Sequence, residues 1–234
     1  MIIKVCGLRE PENIRDVASL EIDLMGFDFC FNSVRFVKMI SSRAGIIPDY
    51  SVERFETASG KVADNSLVSK PQRVGVFEDD MPQNIITRVY NYQLDYVQLN
   101  GSELPVMIEN LRRTIDPDIR RNIKIIKKLN ICTKQDIEQC QPYIGVADMF
   151  LFSVKKGSAE VTSCQSSWEV LDAYNGDVPF LLGGDIQMGD APLLAAYSHP
   201  NFTGIDLDVQ FEVSPAVKDV DALKAFIEKL KNNQ

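Results

Sequence analysis

The stretch RVGVFEDDMPQNIITRVYNYQLDYVQLNGSELPVMIENLRRT, residues 73–114, decides the fold because it holds two copies of one pattern. RVGVF (73–77) and DYVQL (95–99) are short apolar, β-branched runs, and each leads into an amphipathic segment, from about Pro82 to Tyr92 and from about Leu104 to Thr114. Strands that alternate with helical stretches in this way are the mark of βα units around a parallel sheet.

The pattern extends in both directions. Towards the amino end, IIKVC (2–6) leads to PENIRDVASL, where Pro11 suits a first helical turn, and LMGFDF (24–29) leads to a helical stretch beginning near Phe36. Towards the carboxyl end, KIIK (124–127) precedes TKQDIEQCQPY, and MFLFS (149–153) precedes SSWEVLDAY after a long loop. PFLLG (179–183) precedes GDAPLLAAY, and FTGIDL (202–207) precedes VDALKAFIEKL. Eight strands and eight helices in 234 residues predict an α/β fold of the closed (β/α)8 type, a TIM barrel, as a single domain over 1–234. An open doubly wound sheet is the alternative, because periodicity does not show closure. The stretch 46–72, IIPDYSVERFETASGKVADNSLVSKPQ, is too long and polar for an ordinary loop and is expected as an irregular insertion on the bottom face.

Composition narrows the partners. With 33 acidic against 25 basic residues the net charge is −8, a field that disfavours nucleic acid and anionic membrane and leaves a small molecule as the expected ligand. No stretch approaches the roughly 20 apolar residues of a membrane span, so a cytoplasmic location is expected. Cys6, Cys30, Cys132, Cys140 and Cys164 form an odd set without a C-x-x-C pair, and the only histidine is His199 in YSHPN. That pattern suits neither a disulfide framework nor structural zinc. His199 reads as a loop residue.

In a barrel of this kind the site is built where the strands end. Those positions are Cys6, Asp28, Glu78, Asn100, Lys127, Ser153, Gly183 with Gly184 and Asp185, and Asp206 with Asp208; Arg35 follows strand two closely enough to reach inward. Cys6 could serve as a base only with a depressed pKa, supplied by a cation such as Lys127 or Arg35; otherwise it is a core filler. Lys127 is expected to partner the carboxylates of the mouth, with a Schiff base as the alternative role. Asp28 interrupts the hydrophobic run LMGFDFCF, either as a strand-end residue facing solvent or paired with a lysine, or as part of the site. A further reading gathers Asp28, Asp185 and Asp208 around a divalent cation.

KVCGLREPENI at the amino end, MGF followed by NSVRFV, RVGVF, DYVQLNG, IKIIK, the two glycines after strand seven and GIDL with SPAVKD together resemble the phosphoribosylanthranilate isomerases of tryptophan biosynthesis, from residue 1 to about 230. The resemblance implies a (β/α)8 barrel without cofactor or metal. It implies an Amadori rearrangement, in which the aminoaldose N-(5′-phosphoribosyl)anthranilate becomes the 1-amino-1-deoxyketose phosphate. By the same resemblance Cys6 is the general base for the C2′ proton, Arg35 holds the anthranilate, and Gly183 and Gly184 bind the phosphorylated substrate.

The chain also departs from that family. Ser153 in FLFSV stands where the family has its general-acid aspartate, and EVTSCQSSW (160–168) keeps only Trp168 of a glycine-rich loop. Asn100 replaces a histidine, and DLDVQFE (206–212) replaces a turn of small residues that holds phosphate. An alcohol does not donate a proton near pH 7 as a carboxylic acid does, and losing a positioned acid costs about 10²- to 10⁴-fold. Asp28 or Asp185 would then have to act as a substitute acid. A carboxylate about 5 Å from a phosphate charge repels it by roughly 3 kcal/mol at an effective dielectric near 20, so Asp185 and Asp208 are expected to weaken phosphate binding. The alternative to an isomerase is a catalytically silent binding protein that retains the barrel.

Overall fold

Eight short strands line up because each carries apolar residues on both faces. They are β1 (Ile2–Val5), β2 (Leu24–Asp28), β3 (Gln72–Phe77), β4 (Tyr96–Leu99), β5 (Lys124–Ile131), β6 (Met149–Val154), β7 (Phe180–Gly184) and β8 (Phe202–Leu207). In the computed structural model, which describes residues 1–40, 44, 71–154 and 168–232, every neighbouring pair is parallel. Ile2 of β1 pairs with Gly204 of β8 and Val5 with Leu207, so the sheet closes into a barrel. Closure excludes the open doubly wound alternative.

Alternation along the strands sorts the side chains into two cores. Leu24, Val74, Ile126, Met149, Leu151 and Leu181 pack against one another inside the barrel, with Ile2 and Tyr96 beside them. The residues between them face outward into a larger core shared with the helices, among them Ile3, Val5, Phe27, Phe77, Val97, Leu99 and Ile125. Parity is thus set strand by strand, and it decides which residues near the carboxyl ends reach the mouth.

Among the described residues the α-helices are α1 (Pro11–Ala18), α2 (Pro82–Tyr92), α3 (Pro105–Ile115), α4 (Ala191–Ala196) and α5 (Val220–Asn232). The first three open on a proline at the first turn, where the missing N–H has no intrahelical partner to lose. Each buries one stripe: Ile85, Val89 and Tyr92 on α2, Ile108, Leu111 and Ile115 on α3, and Leu223, Phe226, Ile227 and Leu230 on α5.

Several expected elements take another form. The helix expected to begin near Phe36 is not present over Phe36–Ile40, and apart from Ala44 the residues that follow, up to 70, lie outside the described ones. Lys134–Tyr143 is a 3-10 helix, because its buried residues Ile137 and Cys140 are three apart and Pro142 has no N–H to give. Trp168–Ala173 is also 3-10. After β8 come a 3-10 turn (Val209–Phe211) and a small antiparallel pair, β9 (Glu212–Ser214) and β10 (Val217–Lys218), that the strand–helix pattern does not announce. The insertion expected at 46–72 lies outside the described residues except for its last two, and Gln72 already opens β3.

Candidate active site

Cys6 continues β1 by one residue, its N–H donating to the Leu207 carbonyl at 2.9 Å, and alternation turns it inward two residues above Lys4. The thiol lies over Gly26 of β2, where a Cβ atom would stand 2.7 Å from Sγ, and it packs with Cys30 and Val76. Only a glycine leaves room for it. Burial pushes the Cys6 thiol up to about 12, against the pull of Lys4, while Asp206 and Asp208 push the same way as burial. Free of ligand, the group is therefore a thiol at neutral pH.

Beneath it, Lys4 Nζ donates to Asp206 Oδ1 at 2.7 Å, both side chains being buried. Burial opposes the Lys4 charge, but the Asp206 carboxylate more than compensates and holds the ammonium above its ordinary value. Alternation placed Lys4 here, two residues before Cys6, and sequence reasoning overlooked it.

Arg35 reaches the rim, where its Nε and Nη2 donate to both carboxylate oxygens of Glu212 at 2.7 and 2.9 Å. Lys218, fully buried on β10, donates to the same carboxylate at 3.0 Å and to the Asp208 carbonyl at 2.9 Å. Asn13 of α1 fixes β10 by exchanging two hydrogen bonds of 2.8 Å with the Lys218 backbone. Although burial works against its charge, the bonds from Arg35 and Lys218 hold the Glu212 carboxyl below its usual range. Burial pushes Asp208 above its usual range, against Lys218 and Arg35, and its Oδ1 is enclosed 3.6 Å from Lys218 Nζ without a hydrogen bond. Glu212 and Lys218 escaped sequence reasoning because they lie past the strand ends; the only signal was the charge pattern of QFEVSPAVKD.

Several expectations about the mouth need correction. Lys127 is not there: Ile126 faces inward, so Lys127 faces out, where it donates to Glu103 at 2.8 Å and lies 5.1 Å from the Tyr143 ring centroid. The cations that act on Cys6 most are Lys4 and Lys218. Asp28 does end β2, but its Oδ1 accepts from the Cys30 N–H at 2.9 Å, closing a local turn. Among the described residues no three His, Cys, Asp or Glu side chains are placed to hold a metal ion, so Asp28, Asp185 and Asp208 do not form the cation site.

Gly183 faces inward at the end of β7, where a Cβ would come within 2.9 Å of Leu151. Gly184 has φ of +105° and no room for a side chain, since a Cβ would lie 2.2 Å from the Val154 carbonyl oxygen. The Asp185 N–H points at that same carbonyl at 3.4 Å, so the turn is closed on β6. Ser153 is buried and faces inward, paired in register with Asn130 and Gly183. Asn100 accepts a bond from Gln98 at 2.9 Å. His199 lies just before β8, bonded to the Tyr174 carbonyl at 2.9 Å and packed on Tyr174 and Phe180, at the end of the barrel away from the site.

Beside the mouth, adjoining it at Glu78, a cleft of about 580 Å³ is lined by Phe29, Phe31, Phe36, Asp79 and Arg88 among others. Arg88 lies over the Phe29 ring at 4.9 Å.

A closed (β/α)8 barrel with a buried thiol, an internal ion pair and an arginine-bearing rim at its carboxyl end defines the class: an α/β barrel protein with a small-molecule site. The comparisons narrow it. The family model for N-(5′-phosphoribosyl)anthranilate (PRA) isomerase matches residues 31–229, and the chain belongs to that family. It is 37% identical over 230 residues to the N-(5′-phosphoribosyl)anthranilate isomerase of Parabacteroides distasonis, covering 98% of this chain and 93% of that one. To that of Phocaeicola vulgatus it is 35% identical, covering 99% and 98%. The fold is that of the phosphoribosyl anthranilate isomerase of Thermus thermophilus, with a TM-score of 0.70 at 19% identity over the whole of both chains. It is also that of such an isomerase solved in complex with reduced 1-(o-carboxyphenylamino)-1-deoxyribulose 5-phosphate, with a TM-score of 0.69 at 21% identity over 99% of this chain and all of the other. Among the described residues no helix is long and apolar enough to cross a membrane.

Proposed function

We propose that the chain is an N-(5′-phosphoribosyl)anthranilate isomerase, converting that aminoaldose phosphate to the aminoketose phosphate in tryptophan biosynthesis in the cytoplasm. The observation that carries the reading is the Cys6 thiol, held over Gly26 inside the mouth and directly above the Lys4–Asp206 pair. Protonation of the ribose ring oxygen opens the sugar and leaves an iminium at C1′. That positive charge acidifies the C2′ proton and, together with Lys4, favours loss of the Cys6 thiol proton to solvent at the mouth; the resulting thiolate removes the C2′ proton. The raised pKa of the free thiol fits a base that is released only when the cationic intermediate stands beside it. Arg35 and the aromatic cleft along Phe29, Phe31 and Phe36 supply a cation and apolar surface suited to anthranilate. Gly183 and Gly184 lie at the rim expected to meet the phosphate.

The reaction is followed by the loss of the fluorescent anthranilate substrate. Wild-type protein should turn over, and Cys6→Ala should lower kcat by about 10²- to 10⁴-fold. A folded wild-type protein with no turnover would remove the reading.

A second reading, a silent binding protein, is favoured by one observation: Ser153 stands at the acid position while Arg35 is already engaged by Glu212. It loses its ground if the wild-type protein isomerises substrate.

A further inference from the structure

The isomerase reading needs a proton for the ribose ring oxygen, and the Ser153 hydroxyl is too weak an acid to supply it near pH 7. β5 offers one. Its register is Lys127↔Phe150, Lys128↔Leu151 and Asn130↔Ser153, with Ile126 and Leu151 both inside the barrel. Lys128 therefore faces the interior, two residues before Asn130, the cross-strand partner of Ser153. Two residues of strand span about 6.6 Å, a length that the four-carbon stem of lysine covers, so an ammonium leaning towards the mouth comes level with the Ser153 hydroxyl. Lys128 is half-buried, and among the described residues it has neither a hydrogen bond nor an ion pair. The buried lysines, by contrast, are engaged: Lys4 by Asp206, Lys127 by Glu103 and Lys218 by Glu212. An inward lysine left without a carboxylate is what a proton donor for a bound substrate requires.

We propose that Lys128 is the general acid of this chain, an inference that rests on the isomerase reading above. The Lys128 N–H bond breaks as an O–H bond forms on the ring oxygen. The C1′–O bond breaks with its electron pair going to that oxygen, and the anthranilate nitrogen lone pair forms the C1′=N bond of the iminium. Lys128 is left as the neutral amine and regains its proton from solvent at the open mouth. The ionisable groups buried in the barrel with it are Lys4, Cys6 and Asp206, with Asp208 half-buried above them. From β4 and β6 it faces only Gln98, Asn100, Leu151 and Ser153. Among the described residues the donor thus has no carboxylate of its own.

The test compares full-length wild type with Lys128→Met, Lys128→Arg and the double variant Lys128→Met with Ser153→Asp, each checked for folding by its thermal transition and assayed on N-(5′-phosphoribosyl)anthranilate. Arginine keeps the charge but does not release a proton. Both single variants should lose kcat by about 100-fold or more, with KM little changed. Ser153→Asp should restore turnover in the methionine background and move the loss of activity to lower pH, as the donor becomes a carboxylic acid. Wild-type kcat in Lys128→Met overturns the proposal while leaving the isomerase reading intact. Activity kept by arginine and lost with methionine overturns it too, by making the role one of charge alone. A silent, folded wild type removes the isomerase reading and this inference with it.

Discussion

At the scale of single residues, the site depends on what is missing at two glycines. Gly26 has no Cβ, so the Cys6 sulfur occupies that space. Gly26→Ala should therefore displace the thiol and lower kcat more than it lowers thermal stability, as measured by parallel kinetic and melting experiments; equal loss of both would argue for a packing role only. Gly7 has φ of +83°, and a Cβ there would lie 2.7 Å from the Arg35 stem. The residues proposed to bear the chemistry are legible from sequence only in part. Cys6 and Arg35 stand out by position, whereas Lys127 and Lys128 are indistinguishable by type. Which of the two enters the barrel depends on the facing of Ile126 and Leu151, a property of the register and not of the lysines themselves.

Elements carry the next level of argument. The β9–β10 pair exists to bring Glu212 and Lys218 beside Arg35, and Asn13 of α1 clamps it through two backbone bonds. The Glu212 side chain is 6% exposed and holds two cations, one of them the fully buried Lys218, so Glu212→Gln should destabilise the fold by about 3–5 kcal/mol in denaturant titration. The sign of the pH effect follows from its lowered pKa. The stabilisation is fully present above the ordinary glutamate value of about 4.3 and is lost as pH falls through the lower value of the folded state. Wild type should accordingly lose stability more steeply than Glu212→Gln on acidification in that window. On α3, Leu111 is one of three buried residues on a single stripe; Leu111→Ala should cost about 2–5 kcal/mol, without altering the kinetics of molecules that remain folded. The α-helices were legible where proline opened them and apolar residues recurred at helical spacing. Lys134–Tyr143 was not, because three-residue and four-residue spacing are hard to separate over only two buried side chains.

For the whole molecule the open issue is the phosphate. Arg35 and Lys218 are balanced by Glu212 and Asp208, and the Asp185 amide is turned to β6, so among the described residues the rim near β7 and β8 carries no surplus of positive charge. A ligand that binds the native state raises its stability by RT ln(1 + [L]/Kd). Millimolar inorganic phosphate should therefore raise the melting temperature little, whereas the whole substrate or its reduced product analogue, with the proposed contacts to Arg35 and the aromatic cleft, should raise it clearly. A strong response to phosphate alone would show that Asp185 and Asp208 do not oppose the anion.

The order of amino acids was enough to specify the eight βα units and hence the barrel, because apolar alternation and helical spacing are local properties that repeat along the chain. It was also enough to put Cys6, Ser153 and Asp208 near strand ends. Only the folded barrel decided that Lys4 pairs with Asp206, 202 residues away, that Arg35 is held by Glu212, 177 residues away, and that Lys128 looks inward while Lys127 looks out. Those outcomes depend on closure and strand register, which bring distant residues together and set the parity of every side chain at once.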